Sequence, residues 1–134
     1  MADDVLMQKL ASIDRCVRQV REFVGGDMDR LKQQLVQDAV VLNLQRACEQ
    51  AIDAAARVVS IRRLGVPADS AEAFTLLERA GALTPATAAR MRAMVGFRNV
   101  AAHQYPVLDQ AILRAVVEKH LDDFAELCRE LSAE

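Results

Sequence analysis

The sequence predicts an all-α fold, a bundle of about five helices, and two observations support that prediction. Apolar residues recur at spacings of three and four along most of the 134-residue chain, which is the period of an amphipathic helix. Aromatic residues make up only 4% of the sequence, with 5 Gly and 3 Pro, whereas β-sandwiches and barrels need aromatic strands and many turns. We expect a single domain over residues 1–134, long enough to bury a core without metal or disulfide staples.

The first two helices are each predicted from one long apolar stripe. The first stripe covers residues 6–24 and ends at a pair of glycines, which stops the helix. A long second helix is expected to begin near Asp27 or Asp29 and to reach about Arg63, because no Gly or Pro interrupts that stretch. The apolar positions of this second helix are Leu31, Leu35, Leu42, Ala51, Ile52, Ala55 and Val59.

Capping signals place the remaining helices. A short third helix is expected to start at Asp69, since Glu72 three residues later completes a capping-box variant. The fourth starts at Thr84, an N-cap residue followed by a proline at the first helical position, and runs toward His103. Asp109 caps one last predicted helix that extends to the end of the apolar pattern. The short connections imply that consecutive helices pack antiparallel.

The 3 cysteines and 2 histidines predict neither a disulfide nor a metal site. They are scattered, without a Cys-x-x-Cys pair, so we expect packing roles for the cysteines and no metal or cofactor. The opening residues MADDVLMQKL lack the apolar run of a signal peptide. No stretch approaches the ~20 apolar residues that a membrane span needs. We therefore expect a cytoplasmic protein that makes no membrane contact.

Residues 97–106, FRNVAAHQYP, gather the side chains best suited to chemistry. The net charge of -2 excludes a general electrostatic attraction to nucleic acid, so an RNA role needs a local basic patch. No Asp or Glu occurs between Glu78 and Asp109, and this stretch is a candidate phosphate site. The arginines at or within its limits are Arg79, Arg90, Arg92 and Arg98.

The spacing of Arg98 and His103 constrains how they can act together. Residues five apart on a regular helix diverge by ~140°, so the two side chains do not converge by periodicity alone. Either the helix ends between them, or two copies of the segment face each other across a two-fold axis. In such a cleft His103 acts as general acid or base and Arg98 stabilises a phosphorane-like transition state. The ribose 2′-hydroxyl is then the nucleophile, so RNA is cleaved without metal.

Structural roles for the same residues remain open at this stage. His103 can stabilise the dipole of a helix C-terminus, and Arg98 can pair with a neighbouring carboxylate. Tyr105, the only tyrosine, is either presented in an accessible loop by the following Pro106 or is a hydrogen-bonded residue at the edge of the core. His120 is expected to be a solvated surface residue.

The segment resembles the Arg-x4-His-x-Tyr signature of HepT toxins, a branch of the HEPN superfamily. Arg98, Asn99, His103 and Tyr105 occupy the motif positions in this sequence. The stretch VLNLQRACEQAIDAAARVV is similar to the long second helix of that family. FTLLERAGALTPATAARMRAMVGFRN resembles its third helix and the approach to the motif, so the resemblance covers nearly the whole chain in order.

The resemblance implies a metal-independent endoribonuclease that dimerises through the motif face and is the toxin of a toxin–antitoxin pair. Its antitoxin is a nucleotidyltransferase of the minimal (MNT) type, which transfers AMP to the motif tyrosine, here Tyr105. Glu49 and Asp53 are the candidates for the polar helper that some HEPN enzymes place on the second helix, and each is alternatively a surface carboxylate. The alternative functions are a non-catalytic module that docks a nucleotidyltransferase and binds nucleotide or RNA, and a plain helical dimerisation protein.

Overall fold

The computed structural model describes residues 3–105 and 108–134, and all regular structure in these ranges is helical. Within these two ranges, six α-helices and one 3-10 helix of five residues follow one another. The α-helices are α1 (Asp4–Val24), α2 (Gln34–Ile61), α3 (Ser70–Arg79), α4 (Pro85–His103), α5 (Gln110–Lys119) and α6 (Leu121–Leu131), and the 3-10 helix is Met28–Lys32. The prediction of an all-α bundle with a long second helix is confirmed.

Helices α1 and α2 form the central pair of the bundle. The side chain of Asp3 caps α1 by accepting a hydrogen bond from the Leu6 amide at 2.8 Å. Gly25 ends this helix with a φ of 60°, a left-handed conformation that glycine adopts at little cost. The core face of α1 is the predicted stripe, and its buried residues are Leu6, Leu10, Ile13, Cys16, Val17, Val20 and Val24.

The second helix begins later than predicted. The Asp27 side chain caps the 3-10 helix instead, accepting from the amide of Asp29 at 3.0 Å, and Gln33 then adopts an extended conformation. Two of the predicted apolar positions face solvent, because Leu35 is 83% exposed and Leu42 is 45% exposed. The buried face of α2 lies on the opposite side and is built largely of Val and Ala residues, which let neighbouring helices approach closely.

The predicted last helix is split in two at His120. This residue has φ -120° and ψ 2°, outside the helical region, and it both ends α5 and begins α6. Its Nδ1 lies 2.9 Å from Oδ2 of the buried Asp123, a contact that stabilises the break. The imidazole itself is exposed, as predicted. The apolar pattern continues across the break, which is why periodicity alone does not reveal it.

Helix α4 packs against α2, α3 and α6, and this packing positions the segment around Arg98. Thr84 caps the helix as predicted, accepting from the Thr87 amide at 3.3 Å. Glu130 of α6 holds this N-terminus in place, since its Oε1 accepts from the Thr84 amide at 2.7 Å and its Oε2 accepts from the Thr87 hydroxyl. None of the described helices has the length and apolar character to span a membrane.

Candidate functional site

Arg98 lies on α4 and is held against α2 by Glu49. Its Nη1 is 2.5 Å from Glu49 Oε1, and its side chain is only 19% exposed. The Nε atom is buried and has no hydrogen-bond partner among the described residues. The Glu49 carboxylate on the neighbouring helix therefore accepts one of the five N–H groups of the Arg98 guanidinium and holds it in place. This is the pairing with a neighbouring carboxylate that the sequence left open for Arg98.

His103 is the last residue of α4, and its side chain is exposed. The backbone at this end is closed by Gln104, whose amide donates to the carbonyl of Val100 at 2.8 Å. Because α4 is continuous from Pro85 to His103, no helix end separates Arg98 from His103. One of the two arrangements that the spacing allows is thereby excluded, and within one chain the two side chains leave the helix in different directions.

Tyr105 follows α4 and is tied to the first half of α2. Its hydroxyl donates to Asp38 Oδ1 at 2.5 Å and lies 3.4 Å from Gln37 Oε1. The ring is half-buried and packs against the hydrophobic core. Of the two roles that the sequence allows, Tyr105 therefore has that of a hydrogen-bonded residue at the edge of the core. Its hydroxyl lies beside an exposed carboxylate. The predicted role of Pro106 falls outside the described residues.

A chain of glutamines fixes Asp38 in this position. The Nε2 of Gln34 donates to the same Oδ1 at 2.7 Å. Gln34 also contacts Gln37, whose own Nε2 donates to Gln110 Oε1 at 2.6 Å and so connects α2 with the start of α5. The carboxylate that accepts the hydrogen bond of the Tyr105 hydroxyl is thus held by a connected network of side-chain amides.

The hydrogen bond between Tyr105 and Asp38 changes the ionisation of both groups. Burial and the hydrogen bond to Asp38 raise the pKa of Tyr105 to about 12. The donated hydrogen bonds of Tyr105 and Gln34 lower the pKa of the Asp38 carboxyl. At neutral pH the pair is therefore a neutral phenol that donates to an ionised carboxylate.

The two candidate helpers on α2 have different partners. Glu49 contacts Arg98, whereas Asp53 pairs with Lys9 of α1 at 3.4 Å. Asn99, the residue after the motif arginine, is exposed on α4. The structure therefore brings Arg98 and Glu49 together, and it leaves Asp53 at the α1 side of the same helix.

The basic stretch of the sequence acquires acidic partners from other parts of the fold. Glu78 lies 3.0 Å from Arg92, and Asp123 lies 3.9 Å from Arg90. With Glu49 on Arg98, three of the four arginines in that stretch have a carboxylate within reach. The expected positive patch is therefore smaller than the sequence predicts, because contacts between helices are invisible in the linear charge pattern.

Asp38 is the residue of this site that the sequence analysis missed. Asp38 and Glu49 are eleven residues apart, which is close to three helical turns, so they lie on one face of α2. That spacing is visible in the sequence. It identifies Asp38 only once this face of α2 is known to contact the end of α4. Among residues 3–105 and 108–134, no group of three or more His, Cys, Asp and Glu side chains is placed to bind a metal.

A family model described as ribonuclease HepT-like matches residues 13–131 of the chain. The chain belongs to the HepT-like ribonuclease family. It is 38% identical over 133 residues to the mRNA nuclease HepT of Shewanella oneidensis, covering 98% of this chain and 99% of that protein. This HepT-like chain is thus an endoribonuclease by family, as the Arg98–Tyr105 motif predicts.

Solved structures show the same fold. A tri-AMPylated Shewanella oneidensis HEPN toxin in complex with an MNT antitoxin superposes with a TM-score of 0.92 at 38% identity, over 98% of this chain and 99% of that chain. A toxin–antitoxin structure with AMP-PNP gives a TM-score of 0.93 at 37% identity, over 98% and 100% of the two chains. The HEPN-like fold and the toxin class that the resemblance implies are confirmed.

Proposed function

We propose that this HepT-like chain is a metal-independent RNA-cleaving toxin with a composite active site at the interface of a homodimer. In this proposal the 134 residues act as one domain, in the cytoplasm, with RNA as substrate and no cofactor. The observation that carries the proposal is the unbroken helix α4, which holds Arg98 and His103 on different sides of one chain. In a dimer, the Arg98 of one copy can then face the His103 of the other.

The surface next to the motif supports pairing through this face. Ala93, Gly96 and Val100 of α4 line a cavity of about 310 Å³ together with Ile112 of α5. Ile112 is 51% exposed and Val100 is 37% exposed, so apolar surface lies beside the motif on the same helix. A second copy of this chain that covers this surface would place two motif segments side by side.

Each site residue has a defined role in the proposed cleavage. His103 removes the proton of the ribose 2′-hydroxyl or protonates the leaving oxygen, because an imidazole can act as base or acid and this one is exposed where RNA can reach it. Arg98 stabilises the charge that develops on the phosphate, and Glu49 holds its guanidinium in one orientation. Asn99 supports the cleft from the exposed side of α4. We prefer Glu49 to Asp53 as the helper, because only Glu49 contacts Arg98.

The test compares RNA cleavage by the wild type with that of single variants. We expect His103→Ala and Arg98→Ala each to lower the cleavage rate by at least about 100-fold, with helical content unchanged by circular dichroism. Arg98→Lys should lose nearly as much, because Lys lacks the guanidinium fork. Cleavage should survive EDTA and leave a 2′,3′-cyclic phosphate. Activity that persists in His103→Ala, or that disappears with EDTA, would contradict the proposal.

A second comparison separates the two carboxylates of α2. Glu49→Gln should lower cleavage about tenfold, because the orienting charge on Arg98 is lost. Asp53→Asn removes an exposed pair with Lys9 and should change cleavage by less than about twofold. Equal losses in both variants would show that the Arg98–Glu49 contact is not specific to catalysis.

We propose further that an MNT-type nucleotidyltransferase is the antitoxin partner and that it silences the toxin by transferring AMP to Tyr105. The phosphate and adenosine would then lie two residues from His103, where they repel and block an RNA phosphate. Tyr105→Phe keeps the ring but lacks the acceptor oxygen, so it should stay toxic and escape silencing. Intact-mass analysis after co-expression should show AMP on the wild type and none on Tyr105→Phe. A mass gain that persists in the variant would place the acceptor elsewhere.

A further inference from the structure

We propose that Asp38 is a catalytic residue for the modification of Tyr105: the toxin itself provides the base that takes the hydroxyl proton when AMP is transferred. The inference rests on the proposed function, in which Tyr105 is the acceptor. The geometry that carries it is the hydrogen bond of 2.5 Å from the Tyr105 hydroxyl to Asp38 Oδ1. A base must lie within hydrogen-bond reach of the proton that it removes, and Asp38 does.

The environment of the pair keeps the Asp38 carboxylate ionised and directed at the phenol, so that it is free to accept a proton. Gln34 donates to Asp38 Oδ1 at 2.7 Å, and this contact restrains the carboxylate toward the phenol. Asp38 is exposed, so a nucleotide can approach the hydroxyl from the solvent side. Among the described residues Asp38 is the one charged group that acts on the ionisation of Tyr105, and the other polar neighbours, Gln34 and Gln37, are neutral.

A base is needed because the phenol does not ionise by itself. The pKa of Tyr105 is raised to about 12, so almost no phenolate exists near pH 7. In the transfer step the Tyr105 oxygen forms a bond to the α-phosphorus of ATP. The bond from that phosphorus to the bridging oxygen breaks, and pyrophosphate leaves with its electron pair. The phenolic proton passes to Asp38 Oδ1 and then to solvent.

The same geometry limits Asp38 to the first AMP unit. Once the Tyr105 oxygen carries a phosphodiester it has no proton to donate, and a new negative charge lies beside the carboxylate. Any later unit would be joined to a hydroxyl other than that of Tyr105. The step that depends on Asp38 can therefore be separated from later steps in one experiment.

The experiment incubates the full toxin chain with an MNT-type nucleotidyltransferase and Mg-ATP, and follows each AMP addition by intact mass. We expect Asp38→Asn to slow the first addition about 100-fold, because general-base catalysis contributes typically 10²–10⁴-fold, and to leave later additions unchanged. Asp38→Glu should recover part of the rate. Asp29→Asn is the matched control, since it removes an exposed carboxylate that pairs with Lys32, and it should react like the wild type.

A pH series distinguishes a base from a structural role. The rate of Asp38→Asn relative to wild type should rise about tenfold per pH unit between about pH 6 and 9, because the variant depends on hydroxide or on ionised tyrosine. A ratio that stays constant with pH, or an Asp38→Asn rate equal to wild type, would overturn the inference. Tyr105→Phe separates the claim that Tyr105 is the acceptor from the claim that Asp38 is its base. If this variant still gains AMP, the proposed acceptor is wrong. If it does not, the Asp38 variants test the base alone.

Discussion

Tyr105 is unusual among the residues of this chain because it combines a half-buried ring with a strong hydrogen bond to an ionised group. Burial and the hydrogen bond to Asp38 raise its pKa from the usual value of a tyrosine to about 12. A folded-state pKa above the unfolded value means that the hydrogen bond contributes stability at pH values below about 10 and loses it as the pH rises toward 12. Alkaline conditions should therefore release Tyr105 before the rest of the core unfolds.

This prediction can be measured directly because the chain has 1 Tyr and no Trp. The near-ultraviolet absorbance of the phenolate should titrate close to pH 12 in the wild type and at lower pH in Asp38→Asn, with burial keeping it above the ordinary value. Tyr105→Phe should lose less stability than the wild type between about pH 10 and 12. A wild-type midpoint near 10 would show that the hydrogen bond to Asp38 does not persist in solution.

At the scale of helices, the contacts of Glu130 join the start of α4 to α6. Glu130 accepts from the Thr84 amide and from the Thr87 hydroxyl, and so satisfies donors that a helix N-terminus otherwise leaves open. We expect Glu130→Ala to lower the free energy of unfolding by about 1–3 kcal/mol, as for other hydrogen bonds to charged groups. Chemical denaturation measures this change.

Glu126 is the matched control for Glu130, one turn earlier on α6. Its carboxylate pairs with Arg129 of the same helix at the surface, and such pairs contribute little. Glu126→Ala should change the free energy of unfolding by less than about 0.5 kcal/mol. RNA cleavage should be retained in both variants below the denaturation midpoint. Equal destabilisation by the two changes would argue against the anchoring role of Glu130.

The sequence predicts the helices well where capping residues and apolar periodicity agree. Asp69 and Thr84 cap the helices predicted to start at them, accepting from the amides of Glu72 and Thr87. The failures occur where the apolar pattern is continuous but the backbone is not. The 3-10 helix before α2 and the break at His120 contain no Gly or Pro. The polar contacts at the two places, Asp27 with the Asp29 amide and His120 with Asp123, leave no mark in the apolar pattern.

In the candidate site, the sequence reveals the motif residues but not the residues that they contact. Arg98, His103 and Tyr105 are recognisable from their spacing, and the sequence also offers Glu49 as a helper. The partners of Arg98 and Tyr105 are contributed by α2, 49 and 67 residues earlier in the chain, and local periodicity carries no information on that pairing. Asp38 therefore becomes identifiable only when α2 and the end of α4 are seen side by side.

At the scale of the whole molecule, the proposed composite cleft predicts complementation between two inactive variants. A dimer of one Arg98→Ala chain and one His103→Ala chain retains one arginine and one histidine, on different chains. If each cleavage centre takes these residues from different chains, mixing the two variants after dissociation should restore about a quarter of the wild-type rate. This estimate counts half of the dimers as mixed, each with one of two centres intact.

The measurement is a cleavage assay on the re-associated mixture, with the molar mass of each sample determined by light scattering. Each variant treated alone in the same way should stay inactive and dimeric. No recovery in a mixture that has demonstrably exchanged subunits would place both residues of a centre on one chain. A fully active monomer at micromolar concentration would exclude the composite cleft altogether.

Helix α2 carries both Glu49, which holds Arg98, and Asp38, which holds Tyr105, on one face of a single rod of 28 residues. Under the proposed function, inherited changes on this face have opposite fates. A lineage that loses Asp38 or Tyr105 keeps the nuclease but not its restraint, and it dies. A lineage that loses Glu49 keeps a weakened nuclease, and one that loses Arg98 carries a harmless relic. A genome that lacks an MNT-type antitoxin gene should therefore carry a chain altered at Arg98, after which Asp38 and Tyr105 change without selection.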